Sequence, residues 1–229
     1  FLSVKSLQAL PIYLPPLSTQ KLIAKMLTDL DAKIELNQQM NKTLEAMAQA
    51  LFKEWFIDFK FPGYEKVKLV DGLPEGWRNG KLSDICEIIM GQSPPGNTYR
   101  KVPNEGIPFF QGKADFGIRH PVAHTWCTEP TRIAEPGDIL LSVRAPVGPT
   151  NVADTLCCIG RGLAAIRPSS IIDMDFLLFS LKHLEQKLTQ KGKGSTFEAI
   201  RKEDLIYFEI PLPPLDEQQR IVAILNEKM

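Results

Sequence analysis

The sequence predicts an α+β protein: a mixed, β-rich domain with a few helices, accompanied by one long helix. Three patterns support this class. Between residues 85 and 167, short apolar runs alternate with glycine and proline, as strands alternate with turns. Residues 18–60 contain neither glycine nor proline, and their apolar side chains recur at steps of three and four. Finally, residues 7–27 are repeated at residues 205–225, so a similar helix start lies on each side of the β-rich part.

The two copies of the repeat share a Pro-Pro pair that follows an apolar stretch and precedes a helix start. The shared residues are Leu7, Ile12, Leu14, Pro15, Pro16, Leu17, Gln20, Ile23 and Leu27, which return as Leu205, Ile210, Leu212, Pro213, Pro214, Leu215, Gln218, Ile221 and Leu225. Ile12 and Leu14 alternate before Pro15, so residues 1–17 are expected to end in a strand of a domain that precedes Phe1. The second copy stops soon after its helix begins, and the chain is therefore expected to be a piece of a longer protein.

The long helix is predicted to begin after Pro16, where Ser18 or Thr19 can accept the first free amide hydrogens. Its heptad spacing predicts a coiled-coil seam formed by Leu27, Leu30, Ile34, Asn37, Asn41, Leu44, Ala48, Leu51 and Trp55. The two asparagines are expected to fix the register, because a buried amide needs a polar group opposite it. The repeated helix start at residues 216–229 is the predicted partner.

The β-rich part is predicted from short apolar runs at residues 85–90, 107–111, 138–143, 156–160 and 163–167. Asp173 is placed to cap a helix whose apolar face includes Phe176 and Leu188. A helical turn at residues 201–204 and a strand at residues 207–212 then lead into the second copy of the repeat.

The charge of the whole chain does not point to nucleic acid, because 27 basic residues balance 27 acidic ones. Between residues 187 and 202, however, the charged residues are Lys187, Lys191, Lys193, Arg201 and Lys202 against Glu198 alone. Contact with phosphates requires such a local excess, although a solvated helix end has the same composition.

The chain is expected to be cytoplasmic. It contains no run of about 18 apolar residues and no apolar leader. Of the four cysteines, Cys157 and Cys158 are adjacent and lie in an apolar run, which favours buried strand thiols over disulfides.

No catalytic motif or cofactor signature is recognisable, so the chain is predicted to be non-catalytic and to need no cofactor. The sequence lacks Gly-x-Ser-x-Gly, phosphate-loop and His-Glu-x-x-His patterns. His120, His124 and Cys127 could surround a metal ion, but a fourth ligand is missing, and no metal site is predicted.

Five short motifs follow one another along the chain. They are Leu73-Pro74-Glu75-Gly76-Trp77, Ile107-Pro108-Phe109-Phe110-Gln111-Gly112, Pro136-Gly137-Asp138-Ile139-Leu140-Leu141-Ser142-Val143-Arg144, Gly194-Ser195-Thr196-Phe197 and Ile210-Pro211-Leu212-Pro213-Pro214-Leu215-Asp216-Glu217-Gln218. The last motif is the most specific, because it joins a β domain to a long helix. In order and spacing the motifs resemble the specificity (S) subunit of type I restriction-modification systems across nearly the whole chain.

The resemblance implies two target-recognition domains, each reading half of a split DNA site, and two conserved helices that form an antiparallel coiled coil. It assigns residues 1–17 to the tail of a missing first recognition domain and 18–60 to the first conserved spacer helix. Residues 61–76 become a linker, 77–215 the target-recognition domain, and 216–229 the start of the second conserved helix.

The resemblance also implies partners: double-stranded DNA, methyltransferase (M) subunits that methylate adenine with S-adenosylmethionine, and restriction (R) subunits. A chain with one recognition domain could also self-associate through its conserved helices. Two alternatives stay open. One is a recognition module of a combined nuclease-methyltransferase, and the other is a helical scaffold that does not bind DNA.

Candidate DNA contacts follow from side-chain chemistry, because Arg and Lys pair with guanine whereas Gln and Asn pair with adenine. The candidates for base reading are Gln92, Ser93, Gln111, Lys113, Arg144, Ser195 and Thr196. Solvated loop tips, or a structural ion pair in the case of Arg144, are the alternatives. The candidates for phosphate contact are Lys187, Lys191, Lys193 and Arg201.

Overall fold

The computed structural model describes residues 3–61, 63–103, 105–192 and 199–228. The chain divides into two compact units, residues 1–46 and residues 47–229. The α-helices are α1 (Val4–Gln8), α2 (Leu17–Phe52), α3 (Leu82–Ile85), α4 (Met174–His183), α5 (Glu185–Gly192), α6 (Lys202–Ile206) and α7 (Leu215–Lys228). A π-helical turn follows α2 at Lys53–Ile57, and 3-10 turns lie at Tyr64–Lys66, Gly96–Thr98 and Lys113–Asp115.

The strands all belong to the second unit. In chain order they are β1 (Leu69–Val70), β2 (Leu73–Pro74), β3 (Arg78–Lys81), β4 (Cys86–Met90), β5 (Tyr99–Arg100), β6 (Ile107–Phe110), β7 (Trp126–Cys127), β8 (Ile133–Ala134), β9 (Ile139–Ser142), β10 (Thr150–Val152), β11 (Cys157–Ile159), β12 (Leu163–Pro168) and β13 (Glu209–Leu212). The α+β class predicted from the sequence is confirmed, since a long helix accompanies several sheets.

Two sheets form the centre of the second unit. One is antiparallel with the order β10-β9-β12-β4, and the other has the order β5-β7-β6-β11-β8 with a parallel pair, β6 and β11. Strands β9 and β12 are buried on both faces. Leu140 and Leu163 pack with Phe110 and Ile159 of the five-stranded sheet, whereas Ile139 packs into a larger cluster with α4. Because both faces are covered, these strands are continuous apolar runs.

The predicted long helix is present as α2, which is 36 residues long. In the first unit, the seam residues Leu27, Leu30 and Ile34 are more than half exposed, at 58%, 57% and 55%. Asn37 and Asn41 are exposed as well, and Leu44 is half-buried. These side chains are thus open to solvent along the first part of the predicted seam.

The last seam residues belong to the second unit, where Ala48 and Trp55 are buried and Leu51 packs against the same hydrophobic cluster. That cluster also contains Ile221 and Val222 of α7, the helix predicted to pair with α2. Pairing as a coiled coil stays a prediction.

An aromatic group anchors the end of α2 within the second unit. The Phe52 and Phe56 ring centroids lie 4.7 Å apart, and Phe56 meets Phe176 of α4 at 4.9 Å and Trp77 at 5.5 Å. The Trp77 indole N–H donates to the Glu217 carboxylate at 3.0 Å. Trp77 therefore links the start of the β-rich part to the start of α7.

The prediction of a strand within residues 1–17 is wrong. The described part of this segment contains the short helix α1, and Ile12 and Leu14 are 78% and 77% exposed without strand pairing. The matching stretch in the second copy is strand β13 because it pairs with β3. Among the described residues no strand pairs with the first copy, so its backbone lacks the hydrogen bonds that a strand requires.

The helix starts of the repeat, in contrast, share their hydrogen bonds. The Gln20 side-chain amide donates to the Pro15 carbonyl at 2.7 Å, and Gln218 donates in the same way to Pro213 at 2.9 Å. The backbone N–H of each glutamine also donates to the second proline of its pair at 3.0 Å. The repeated sequence thus encodes one local structure at both helix starts.

Candidate nucleic-acid interface

Four of the side chains predicted to read bases line one polar pocket of about 260 Å³ in the second unit. They are Ser93, Gln111, Lys113 and Arg144. Ser142 and Arg161 complete its polar lining. Gln92 precedes Ser93 but does not line the pocket, and Ser195 and Thr196 lie outside the described residues. The structure therefore brings together residues that are far apart in the sequence.

The pocket lies where the ends of strands from both central sheets meet. Ser93 follows β4, Arg144 follows β9, and both strands belong to the four-stranded sheet. Gln111 and Lys113 follow β6 of the five-stranded sheet. Loops mounted on the ends of buried strands present side chains to solvent on a rigid base, which is the usual arrangement of a binding site.

The loop after β6 is held by a carboxylate. Asp115 accepts hydrogen bonds from the backbone N–H of Gln111 at 2.6 Å and of Gly112 at 3.4 Å. These bonds stabilise the 3-10 turn that contains Lys113 and leave the Gln111 and Lys113 side chains exposed.

Backbone pairing also fixes the loop that carries Arg144. Arg144 forms an isolated antiparallel bridge with Ala199, and the Ile200 N–H donates to the Val143 carbonyl at 2.9 Å. The buried Ser142 hydroxyl donates to the Pro146 carbonyl at 2.8 Å. Arg144 is exposed and forms no ion pair within the described residues, so the alternative of a structural ion pair finds no support there.

The pocket is positively charged, because Lys113, Arg144 and Arg161 line it and no carboxylate does. In the described part of the chain, none of these three cations has an acidic partner within ion-pair distance. A neutral chain thus concentrates unpaired positive charge at one concave site.

Two of the candidates for phosphate contact lie on α5. Lys187 is exposed on this helix, Lys191 is on the same helix, and Arg201 is exposed at the start of α6. Lys193 lies outside the described residues. The Thr189 hydroxyl of α5 donates to the Val147 carbonyl at 3.0 Å, which joins this helix to the loop that carries Arg144.

The pKa of His183 responds to the positive charge of α5. Burial of His183 and then the charge of the nearby Lys187 lower the pKa of the imidazole. Both effects favour the neutral form of the His183 imidazole.

Arg161 was not among the residues predicted from the sequence. It lines the same pocket as Ser93 and Gln111, and its flanking residues, Gly160 and Gly162, are typical of an ordinary turn. A single long cation between two glycines is the signal that could have identified it.

The described residues hold no group of three or more His, Cys, Asp or Glu side chains that could bind a metal ion. Burial raises the pKa of the Cys86 and Cys157 thiols to about 12, so neither is a ready nucleophile. None of the described helices is apolar over a length that could cross a bilayer.

Chemically, the pocket offers hydrogen-bond donors and positive charge, which suit anions and the acceptor edges of bases.

Comparison with known proteins identifies related chains. A family model for the type I restriction modification DNA specificity domain matches residues 2–46 and 74–227. A putative type I restriction enzyme MjaX specificity subunit from Methanocaldococcus jannaschii is 41% identical over 227 residues, which cover 96% of this chain and 52% of the relative.

Solved structures agree with this match. The HsdS subunit from Thermoanaerobacter tengcongensis is 46% identical with a TM-score of 0.66, over 94% of this chain and 51% of that one. A chain from a study of complex assembly and conformational transition of the type I R-M system is 47% identical with a TM-score of 0.69, over 93% and 52%. The chain spans about half the length of these relatives. The family match over most of its residues shows that this chain belongs to the family of type I restriction-modification specificity subunits.

Proposed function

We propose that this chain is a sequence-specific DNA-recognition module that reads one half of a bipartite site in a type I restriction-modification complex. The observation that carries the proposal is the cationic pocket at the ends of β4, β6 and β9. Base edges in the major groove of DNA present acceptors to Arg and Lys, and adenine pairs with the amide of Gln. Lys113, Arg144 and Gln111 supply these groups at one place.

The charge distribution supports DNA over a protein partner for the pocket. The basic helix α5 is joined to the Arg144 loop, so phosphate contacts from Lys187 can accompany base contacts from the pocket. Family membership supports the same substrate, because the matching model describes a DNA specificity domain.

The proposed role is non-catalytic and is exercised in the cytoplasm. M subunits would methylate adenine and R subunits would cleave, while α2 and α7 dock the M subunits and set the distance between half-sites. The exposed apolar side chains of α2, such as Leu27 and Leu30, support a partner along this helix. The repeated helix starts of the chain support a two-fold arrangement of recognition domains. The second recognition domain would come from a longer chain or from self-association.

A salt titration of DNA binding tests the proposal. The chain in complex with its M subunits is titrated against duplex DNA by fluorescence anisotropy at several salt concentrations. Affinity should fall as salt rises, because each phosphate contact releases a counterion. The double variant Lys113→Ala/Arg144→Ala should bind more weakly, whereas Arg132→Ala, which removes an exposed cation outside the pocket, should bind as the wild type does.

Other outcomes would contradict the proposal. Absence of duplex binding, or binding that is insensitive to salt, favours a scaffold that does not touch DNA. Co-purification with one large subunit, in place of separate M and R subunits, favours a combined nuclease-methyltransferase.

A further inference from the structure

A three-residue turn carries the chain from one central sheet to the other. Strand β11 of the five-stranded sheet ends at Ile159, and β12 of the four-stranded sheet begins at Leu163. Between them lie Gly160, Arg161 and Gly162. The Leu163 N–H donates to the Gly160 carbonyl at 3.0 Å and closes the turn.

Hydrogen bonds tie this turn to the strand ends that surround the pocket. The Gly160 N–H donates to the Phe110 carbonyl of β6 at 2.8 Å. The Gly162 carbonyl accepts from the Val143 N–H, just after β9, at 2.9 Å. The Leu163 carbonyl accepts from the Gly91 N–H, just after β4, at 2.9 Å. The backbone on both sides of Arg161 is therefore fixed relative to all three loops of the pocket.

Close packing explains the glycine that follows Arg161. A Cβ atom on Gly162 would lie 2.2 Å from the Gln111 carbonyl oxygen, far shorter than any van der Waals contact, and this backbone atom cannot yield as a flexible side chain can. A Cβ atom on Gly160 would lie 3.2 Å from the Gln111 Cα atom and from the Phe109 ring, which is a tight contact. Only position 161 of the turn is free to carry a large side chain into the pocket.

The charge of Arg161 is left available for a ligand. Its side chain is exposed in the pocket, and no carboxylate of the described residues forms an ion pair with it. Arg167 shows the contrast, because its guanidinium holds both oxygens of the buried Asp138 at 2.9 Å. Arg167 is a structural arginine, and Arg161 has no such use in the fold.

We propose, on the basis of the proposed DNA-recognition function, that Arg161 determines specificity by reading a guanine, and that the glycine turn holds it in place for this purpose. A guanidinium has only donors, and guanine is the base that presents two acceptors, O6 and N7, on its major-groove edge. Donation of two hydrogen bonds to one base requires the planar guanidinium group to be held in a defined orientation. The hydrogen-bonded backbone of the turn reduces the conformational freedom that Arg161 must lose on binding. The same fork can also hold a phosphate, but such a contact would carry no sequence preference, which is what the experiment measures.

Selection from a pool of randomised duplexes tests the inference. The chain in complex with its M subunits is compared with Arg161→Ala, Arg161→Lys and the control Arg132→Ala. The wild type should enrich a half-site that contains guanine. Arg161→Ala should lose the preference for guanine at one position by about 5- to 150-fold and keep the rest of the motif. Arg161→Lys should retain overall affinity with a weakened preference there, since a lysine lacks the fork.

The alternative outcomes are distinct. An unchanged motif for Arg161→Ala overturns the inference, and so does a uniform loss of affinity with a shallower salt dependence, which indicates a phosphate contact. Loss of preference at a position that is not guanine overturns the base assignment. A wild-type complex that enriches no sequence overturns the proposed function itself, and the inference with it. The thermal midpoint of Arg161→Ala should match the wild type, because the side chain is exposed.

Discussion

Replacement of Gln218 by alanine should destabilise the second unit strongly. Gln218 is fully buried at the start of α7. Its amide donates to the carbonyls of Pro213 at 2.9 Å and Ile171 at 3.2 Å, and its side-chain oxygen accepts from the Asp173 N–H at 2.8 Å. One side chain thus holds the start of α7 against the loop that precedes α4.

The three hydrogen bonds set the magnitude. Each contributes about 0.5–1.5 kcal/mol, and removal of the amide also leaves buried backbone groups without a partner. For Gln218→Ala we expect a loss of about 3 kcal/mol in the free energy of unfolding. Gln218→Glu should cost at least as much, because a carboxylate cannot donate to the carbonyls of Pro213 and Ile171.

Equilibrium unfolding in urea, followed by circular dichroism, measures these losses. Gln219→Ala is the matched control, since this neighbouring glutamine is exposed and its loss should change the unfolding free energy by less than about 0.5 kcal/mol. The reasoning would be refuted by a loss below about 1 kcal/mol for Gln218→Ala, or by equal losses for the two variants.

Five further predictions concern the site and the core. The Cys86 and Cys157 thiols, with pKa values raised by burial from 9.0 to about 12, should resist a thiol reagent at pH 8 until denaturant is added. Because these thiols ionise earlier in the unfolded chain, stability should fall as the pH rises from about 9 towards 12, measured by urea unfolding across that range. Asp138→Ala should cost about 3 kcal/mol in the same assay, because the buried carboxylate accepts two hydrogen bonds from the Arg167 guanidinium and one from the Glu135 N–H, and a cost below about 1 kcal/mol would contradict this. Lys187→Ala should lower the slope of log affinity against log salt by about 0.9, and an unchanged slope would exclude a phosphate contact. Arg144→Ala should cost about 1–3 kcal/mol of discrimination at one base pair, and unchanged discrimination in a competition assay would exclude base reading.

Sequence patterns predicted the elements whose structure is determined locally or by strong burial. Strands β4, β9 and β12 arise from apolar runs bounded by glycine and proline, and each lies within two residues of its prediction. Asp173 caps α4 as expected, since its carboxylate accepts from the N–H groups of Asp175 and Phe176. Long-range pairing is not needed to recognise such elements.

Strand β3 shows why other elements were missed. Arg78–Lys81 has the sequence Arg-Asn-Gly-Lys, which has little intrinsic preference for a strand. It is a strand because it pairs with β13, more than a hundred residues further along the chain. The same dependence explains the wrong prediction at Ile12 and Leu14, where the repeated sequence is present but pairs with no strand of the described residues.

Several residues that line the pocket were candidates from the sequence, but their assembly into one pocket was not predicted. Gln111, Lys113 and Arg144 follow recognisable strands, so their place at strand ends could be inferred from the sequence. That β4, β6 and β9 end beside one another depends on the order of strands in two sheets, which the sequence pattern does not reveal. Arg161 lies at the pocket because the turn that joins β11 to β12 passes from one of these sheets to the other.

The close approach of backbone at Gly162 has a consequence for engineering. A side chain at position 162 would meet the Gln111 carbonyl oxygen, and one at position 160 would be tightly packed, whereas the side chain at position 161 is exposed in the pocket. A library confined to that single codon would therefore vary the chemistry of the pocket while each member kept the parental scaffold. Position 161 is the natural first choice for reprogramming this surface.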